Sequence, residues 1–510
     1  MALVLCAMLV IAVRPGFDAP GSVFDEGFSL AYPVRVLDGD VPHRDFETFY
    51  GPGNPWLIAG AFAVAGTSQD TERVLGGLYR LLLVLGVAGI VRVAAGRWAA
   101  LFAGAVAIAA LQPLVLYAYA AVAALGCALA TIAILAAAGR RASPAAAALG
   151  GLLAGGALLM RPDYFVALLP PVAVLLAGRG QRRLAAFLGG LAPAAVALGA
   201  HAGIVGFERL SRVGADMLAS GPARRLPFDP LASAANVAEP SRLLVLSIAL
   251  ALAGLIAALL SRRRPAADEW RVSAALALLA LGLVPYALSR VDYVHVVVVL
   301  LPALIMVPTA ATLVVPSARA RIVVGAAAAA LLLGTVLAVK SLQEPLRLTA
   351  ARVLGRQPPP AFTRVSVGSR SFTVEPEQAP VIQRIVDDAE RERQSGARTL
   401  IVGSGDLRRA FINDVYLYYL LADLRPATFY MEFNPLAANG PDSGLTGDLR
   451  RADLLILNSA YDHPGEDNDS RLDGPAAPNE IVRREFCLVT AAGTLRLLRR
   501  CRKGSSSALA

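Results

Sequence analysis

The sequence predicts an α-helical polytopic membrane protein of about eleven transmembrane helices, followed by a C-terminal α/β domain. Three observations carry that expectation. Hydrophobic residues make up 56% of the chain and charged residues only 17%, against about a quarter charged in soluble domains. Several apolar runs reach the length of about 17 residues that a bilayer core demands. The arginines recur at alternate loops between those runs, as the positive-inside rule requires.

The runs are 2–13, 74–95, 98–112, 114–137, 144–160, 164–178, 184–206, 242–260, 271–289, 293–315 and 322–340. The first is short: about twelve helical residues rise about 18 Å against a core of about 30 Å. It reads as a truncated or misassigned start rather than a secretory signal, because no basic segment precedes it. With the N-terminus inside, five successive inner loops carry Arg92 and Arg97, Arg140 and Arg141, Arg179 with Arg182 and Arg183, Arg262 to Arg264 with Arg271, and Arg319 with Arg321. The outer loop 207–241 is also basic, with Arg209, Arg212, Arg224 and Arg225. Either its length lets it cross despite its charge, or these arginines serve a ligand. The short apolar segment 54–66 would invert every later loop if it spanned, so it reads as interfacial or re-entrant, with Trp56 at the boundary.

A net charge of +10 points first to nucleic acid. That class is set aside because the arginines are scattered over short loops between apolar runs. Mean hydropathy is +0.57, and lysine occurs only at Lys340 and Lys503.

Residues 1–340 thus form the membrane domain and 341–510 a separate α/β domain on the non-cytoplasmic side. The sequence predicts a helix at 380–394, a strand at 399–403, a helix near 410–421, a strand at 453–458 and a closing hairpin at 483–500. Residues 461–478, acidic and rich in Gly and Pro, read as a mobile loop. Gly403-Ser404-Gly405 follows a strand, but position 408 is Arg, so the dinucleotide fingerprint is incomplete and no nucleotide site is assigned.

The first outer loop concentrates the chemistry. It contains Asp25-Glu26, then Gly39-Asp40-Val41-Pro42-His43-Arg44-Asp45-Phe46, then Tyr50-Gly51-Pro52. Residues 25–38 read as an amphipathic helix lying along the membrane. Paired carboxylates at a bilayer surface are either solvated or functional.

This arrangement resembles the GT-C superfamily of membrane glycosyltransferases, which includes the protein O-mannosyltransferases, the lipid A aminoarabinose transferase and many family-39-like bacterial relatives. In those proteins an acidic residue or Asp-Glu pair follows the first span. A Gly-x-x-Pro-x-x-Asp-Phe segment then leads to Gly-Pro or Pro-Pro. The similarity covers residues 1–340 as architecture and about residues 24–53 as motif. It implies an inverting transfer from a polyprenyl-phosphate-linked sugar donor to an acceptor outside the cytoplasm, whether cell-envelope glycan, lipid or protein. Asp25 matches the base position, and Glu26 would orient the acceptor or assist a metal. Arg44, Asp45 and Tyr50 fall in the motif as substrate-binding candidates. Several relatives place a second carboxylate near the turn at 111–114, but here that turn is Leu-Gln-Pro-Leu. Dependence on a divalent metal therefore stays open.

A departing phosphate needs positive charge. Candidates at the outer ends of the runs are Arg80, Arg161 with Asp163 in Met160-Arg161-Pro162-Asp163-Tyr164, His201, and Arg290, Asp292 and His295 in Ser289-Arg290-Val291-Asp292-Tyr293-Val294-His295. Each has a plainer reading. Arg80 snorkels, His201 packs, and Arg161 pairs with Asp163 across its turn.

Two rival functions stand beside the enzyme. A lipid-linked-sugar transporter would place charges or broken helices near mid-membrane, and these runs have almost none. A non-catalytic assembly protein would use 341–510 as a binding module. Finally, a hairpin centred near Thr494 would set Cys487 opposite Cys501, predicting a disulfide with a Cα–Cα separation of about 4.4–6.8 Å. A turn one residue earlier would leave two free thiols.

Overall fold

The computed structural model describes residues 1–141, 143–262, 269–315, 317–338, 340–358, 361–463, 465–466 and 468–501. Helix α1 (Ala2–Phe17) is followed by two short helices, α2 (Asp25–Leu37) and α3 (Gly53–Ala65). Next come α4 (Gln69–Ala110), α5 (Ala120–Arg141), α6 (Pro144–Met160), α7 (Pro162–Leu176) and α8 (Gln181–Val205). Then follow α9 (Phe207–Ala223), α10 (Ala235–Ser261), α11 (Glu269–Gly282), α12 (Val284–Ser289), α13 (Tyr293–Ala311), α14 (Ala318–Ala338) and α15 (Lys340–Val353).

Every apolar run read from the sequence falls mainly within helix. Among the described residues, six helical segments are long and apolar enough to cross a membrane, counting α11 and α12 as one. α1, α3, α6 and α7 are shorter apolar helices. The runs at 74–95 and 98–112 share α4, which breaks at Gly96 with φ 90° and ψ −178°. Only glycine enters that region without strain. The two halves return to one pole. Arg80, near the start of α4, donates to the carbonyls of Leu114 and Val115, just beyond its end, at 2.8 and 2.7 Å.

The loops sort onto two poles. At one, Arg179 Nη1 bonds Gly139 O at 3.1 Å, Arg271 Nη1 bonds Val174 O and Ala177 O at 2.7 Å, and Arg321 faces Glu269 at 3.8 Å. These arginines cap helix C-termini, where positive charge is favoured. The predicted inner-loop residues Arg263 and Arg264 lie outside the described residues. The opposite pole carries α2, α3, α9, the turns at 111–119, 161–163 and 290–292, and the C-terminal domain. α3 leaves the chain on the side where it began, as its short length requires.

The C-terminal domain opens with a hairpin, β1 (Thr363–Val367) and β2 (Arg370–Val374), and continues with α16 (Ala379–Gln394) and β3 (Thr399–Ser404). Then come α17 (Tyr416–Leu420), β4 (Arg425–Pro426), α18 (Leu445–Arg451), β5 (Leu454–Asn458), α19 (Ala477–Glu485), β6 (Phe486–Ala492) and β7 (Leu495–Arg500). The five-stranded sheet has the order β4-β3-β5-β7-β6; β3 is parallel to β4 and β5, and β7 is antiparallel to β5 and β6. β5 is buried throughout, and β3 along all but its first residue, which explains their unbroken apolar sequences. The helix expected near 410–421 is confined to 416–420. Before it, Asn413 Nδ2 bonds the carbonyls of Val402 and Met431, both at 2.9 Å, which holds that stretch as loop. The segment 461–478 is pinned at several points: Asp462 accepts from the Asp406 amide at 2.7 Å, and Asp473 pairs with Arg409.

The expectation for α2 needs correction. It is a helix, but ten of its thirteen residues, Glu26 to Arg35, are buried. α17 lies so close that a Cβ on Gly27 would come within 2.7 Å of Tyr416 N. A helix thus covered does not lie along a membrane surface with a solvated face.

The deepest polar contact joins three parts of the chain. Arg73 and Glu26 are both fully buried. Arg73 Nε and Nη2 meet the two Glu26 carboxylate oxygens at 2.7 and 3.0 Å. Arg73 Nη1 donates to the carbonyls of Gly16, Phe17 and Ala19, each at 3.0 Å, closing the end of α1. Its Nη2 also reaches Thr373 Oγ1 on β2 at 3.3 Å.

Two predictions follow from these contacts. Replacing one partner, as in Glu26→Leu or Arg73→Met, strands a buried charge and should cost about 3–5 kcal/mol. The double variant should cost clearly less than the two singles added, by thermal unfolding in detergent. Additive losses, or singles costing under about 1 kcal/mol, would contradict the arrangement. The second concerns the cysteines. Cys487 and Cys501 form a disulfide with a Cα–Cα separation of 5.1 Å. The hairpin turns between Ala492 and Leu495, and a register shift at Val489 sets Cys487 against Arg499, so the bridge is diagonal rather than directly cross-strand. Maleimide labelling of unreduced, denatured protein should modify Cys6 and Cys127 and spare Cys487 and Cys501. Labelling of all four would exclude the bridge.

Candidate active site

Asp25 opens α2, where a carboxylate is favoured by the exposed amides of the first turn. Ser22 Oγ accepts from the Asp25 amide at 3.1 Å and donates to Asp25 Oδ2 at 3.3 Å. The residue is half-buried where α2 is covered by α17, with Arg224, His295 and Asp292 close enough to act on its carboxyl. Burial pushes its carboxyl above the usual range. Arg224, the Ser22 hydrogen bond and His295 pull the other way, and Asp292 adds to the rise.

Aromatic rings, most of them buried, pack beside this residue. Tyr50 stacks near Phe28 at 5.4 Å, and Phe28 meets Phe24 at 5.8 Å. Tyr119 Oη lies 3.0 Å from Tyr286 Oη, and Tyr286 sits 4.9 Å from the His295 ring. The Arg161 guanidinium lies over Tyr50, Tyr164 and Tyr286 at 5.2, 5.3 and 4.7 Å. Asp163 holds it from outside with bonds of 2.9 and 2.7 Å. The ring faces and the Asp163 carboxylate together keep this charge in place.

The turn before α13 supplies a second cation. Asp292 caps α13, accepting from the His295 amide at 3.0 Å and contacting His295 Nδ1 at 2.7 Å. Its other oxygen accepts from Arg290 Nε at 2.8 Å. Burial disfavours the Asp292 carboxylate, but His295 and Arg290 outweigh it and hold the group below the usual range. Arg290 also binds Glu466 of the C-terminal domain. A third cation, Arg224, lies over Phe24 at 5.4 Å and donates to Asn434 Oδ1 at 3.0 Å.

The structure therefore brings together Asp25, Tyr50, Arg161, Asp163, Arg290, Asp292 and His295. It separates the others. Both oxygens of Glu26 are engaged by Arg73. Arg44 and Asp45 form a surface pair at 2.7 Å and bond otherwise with Val41 and Arg209. Arg80 is buried rather than snorkelling, and caps the turn after α4. His201 Nε2 lies 2.9 Å from His43 Nδ1, so it is a packing partner of the motif loop. Burial lowers His43 to about 4, with His201 adding to the shift.

Sequence reasoning missed a buried acidic pair. Tyr32 Oη donates to Glu432 Oε1 at 2.5 Å, and Asn434 Nδ2 lies 3.2 Å from Glu47 Oε2 and 3.3 Å from Glu432 Oε2. Burial, reinforced by Glu432, pushes Glu47 well above the usual carboxyl range. The available signal was a charged residue amid aromatic ones in Phe429-Tyr430-Met431-Glu432-Phe433. Among the described residues, no three His, Cys, Asp or Glu side chains converge closely enough to hold a metal ion. The basic groups that act on Asp25 are Arg224 and His295.

No protein-family model matches the chain, and no curated protein matches it in sequence. Solved structures do match. ArnT from Cupriavidus metallidurans bound to undecaprenyl phosphate superposes with a TM-score of 0.54 over 98% of both chains at 13% identity. The apo form of the same protein gives 0.52 over 97% of both at 14% identity. The archaeal oligosaccharyltransferase AglB from Archaeoglobus fulgidus gives 0.49, covering 99% of this chain and 74% of its own, at 12% identity. Over almost its entire length, this chain shares the polytopic fold of the ArnT structures.

Proposed function

We propose that this protein is a membrane glycosyltransferase that moves a sugar from a polyprenyl-phosphate carrier to a hydroxyl acceptor. In this reading Asp25 takes the acceptor proton as its oxygen attacks the anomeric carbon. The new C–O bond forms on one face while the bond to phosphate breaks on the other, inverting the centre. The electron pair leaves with the phosphate, whose charge is met by Arg290, Arg224 and Arg161. Glu26 positions rather than reacts, by fixing the first turn of α2.

What supports this reading above all is a half-buried carboxylate with Arg224 and His295 beside it, His295 being tied through Asp292 to Arg290. This site lies at the pole where the membrane helices meet the C-terminal domain. The likeness to an undecaprenyl-phosphate-bound structure supports the class of donor. The arginine-rich loops at the opposite pole support a cytoplasmic placement for that pole, and hence an extracytoplasmic site.

Asp25→Asn should reduce transfer by at least about a hundredfold. The burial that raises Asp25 also fixes the sign of two pH effects. The folded state holds this proton more tightly than the unfolded chain, so ionised Asp25 weakens the fold as pH rises through the raised value. Asp25→Asn should therefore melt no lower than wild type at neutral pH. Wild-type turnover should rise with pH through a midpoint above the ordinary carboxyl range. Near-normal turnover by Asp25→Asn would remove Asp25 from the mechanism, and sugar-carrier translocation without transfer would favour a transporter.

Topology is tested separately. A periplasmic-type reporter fused after Cys501 should be active, and one placed at Gly180 inactive. The reverse pattern would put Asp25 on the wrong side for this reaction.

A further inference from the structure

Arg290, in the turn before α13, reaches the loop after β5, and its terminal nitrogens are already occupied. Nη1 donates to Glu466 Oε2 at 2.8 Å, and Nη2 binds Glu466 Oε1. Asn468 Nδ2 steadies the same carboxylate at 3.0 Å. Two parallel contacts to a carboxylate use the geometry by which a guanidinium grips a phosphate. A phosphate cannot take that fork while Glu466 holds it.

We propose that Glu466 is a resident competitor for the anion subsite of Arg290, displaced when a lipid phosphate binds. This rests on the donor class proposed above. Arg290 is built to survive the exchange. Its Nε stays on Asp292 at 2.8 Å, and its Nη1 also donates to Arg224 O at 3.1 Å. With Glu466 withdrawn, the guanidinium keeps its aim and presents Nη1 and Nη2 to the incoming group. The pair is accessible: both side chains are 20% exposed, unlike the fully buried Arg73–Glu26 pair. A partly solvated pair gives up less free energy on opening than a fully buried one. Glu466 also arrives from the loop that follows β5, whereas Asp292 and His295 belong to the membrane domain. The exchange therefore couples donor binding to the way the two domains meet. Without an anion, Glu466 keeps the fork neutralised and joins the two domains.

The test is equilibrium binding of undecaprenyl phosphate to the full chain in detergent, comparing wild type, Glu466→Gln, Arg290→Gln and the double variant. If Glu466 holds the fork about four-fifths of the time, its removal tightens binding about fivefold, since apparent affinity scales with the competent fraction. Arg290→Gln should bind more weakly, and adding Glu466→Gln to it should change nothing. In turnover, Glu466→Gln should lower the KM for the lipid donor and leave kcat unchanged. A structural role for Glu466 alone would instead lower the melting temperature and leave affinity equal or weaker; equal or weaker affinity overturns the proposal while the donor class stands. Failure of both wild type and Glu466→Gln to bind the lipid overturns the donor class itself, and this competition with it.

Discussion

The ion pair of Arg73 with Glu26 is the contact on which the rest of the pole that carries Asp25 depends. A buried pair of charges forms only when geometry and additional hydrogen bonds offset desolvation. Here the three carbonyls ending α1 use one guanidinium nitrogen, and the Glu26 carboxylate uses the others. That requirement fixes four things at once: where α1 stops, how α2 is rotated, where α4 starts, and how β2 docks. Because Glu26 is turned inward, its neighbour Asp25, about 100° further round the helix, is turned to another face. The adjacent acidic residues thus differ: Glu26 is fully buried against Arg73 and Asp25 is half-buried beside Arg224 and His295.

The C-terminal domain is part of the site's walls. α17 covers α2, Tyr32 bonds Glu432, Arg224 bonds Asn434, and Arg290 bonds Glu466. Each joins a residue of the membrane domain to one beyond position 400. Low dielectric in this enclosed volume strengthens every charge–charge interaction. It explains why Asp25 rises while Asp292, ringed by His295 and Arg290, falls. Two neighbouring carboxylates thereby differ in proton affinity, Asp25 above the usual range and Asp292 below it.

Much of this was legible in the sequence, for identifiable reasons. Apolar runs and arginine-bearing loops are local properties, so the helices and their two poles could be read directly. β3, β5 and the closing hairpin carry their own patterns, and the spacing of Cys487 and Cys501 around a turn was enough to expect their bridge. Arg161, Arg290, Asp292 and His295 were singled out because they sit at run ends where polar groups gather, and Asp25 because it matches the acidic residue that follows the first span in the proteins the sequence resembles. What failed was register across distance. Glu26 was read with Asp25 because nothing local says that Arg73 takes it. Arg44 and Asp45 belong to the quoted motif but satisfy each other at the surface. Arg80 is taken by the turn after α4. Glu432 and Glu466 acquire meaning only when residues some two to four hundred positions earlier are brought against them, and no periodicity encodes that meeting.

The central claim is that the site at Asp25 receives a lipid-linked phosphate among Arg290, Arg224 and Arg161. Cryo-electron microscopy of the full chain with undecaprenyl phosphate tests it most directly. The account predicts phosphate density within hydrogen-bond reach of Arg290, the lipid tail leaving past Tyr50 and Tyr286, and Glu466 moved off the guanidinium. Phosphate density at the opposite, arginine-capped pole, with Arg290 still bound to Glu466, would contradict it.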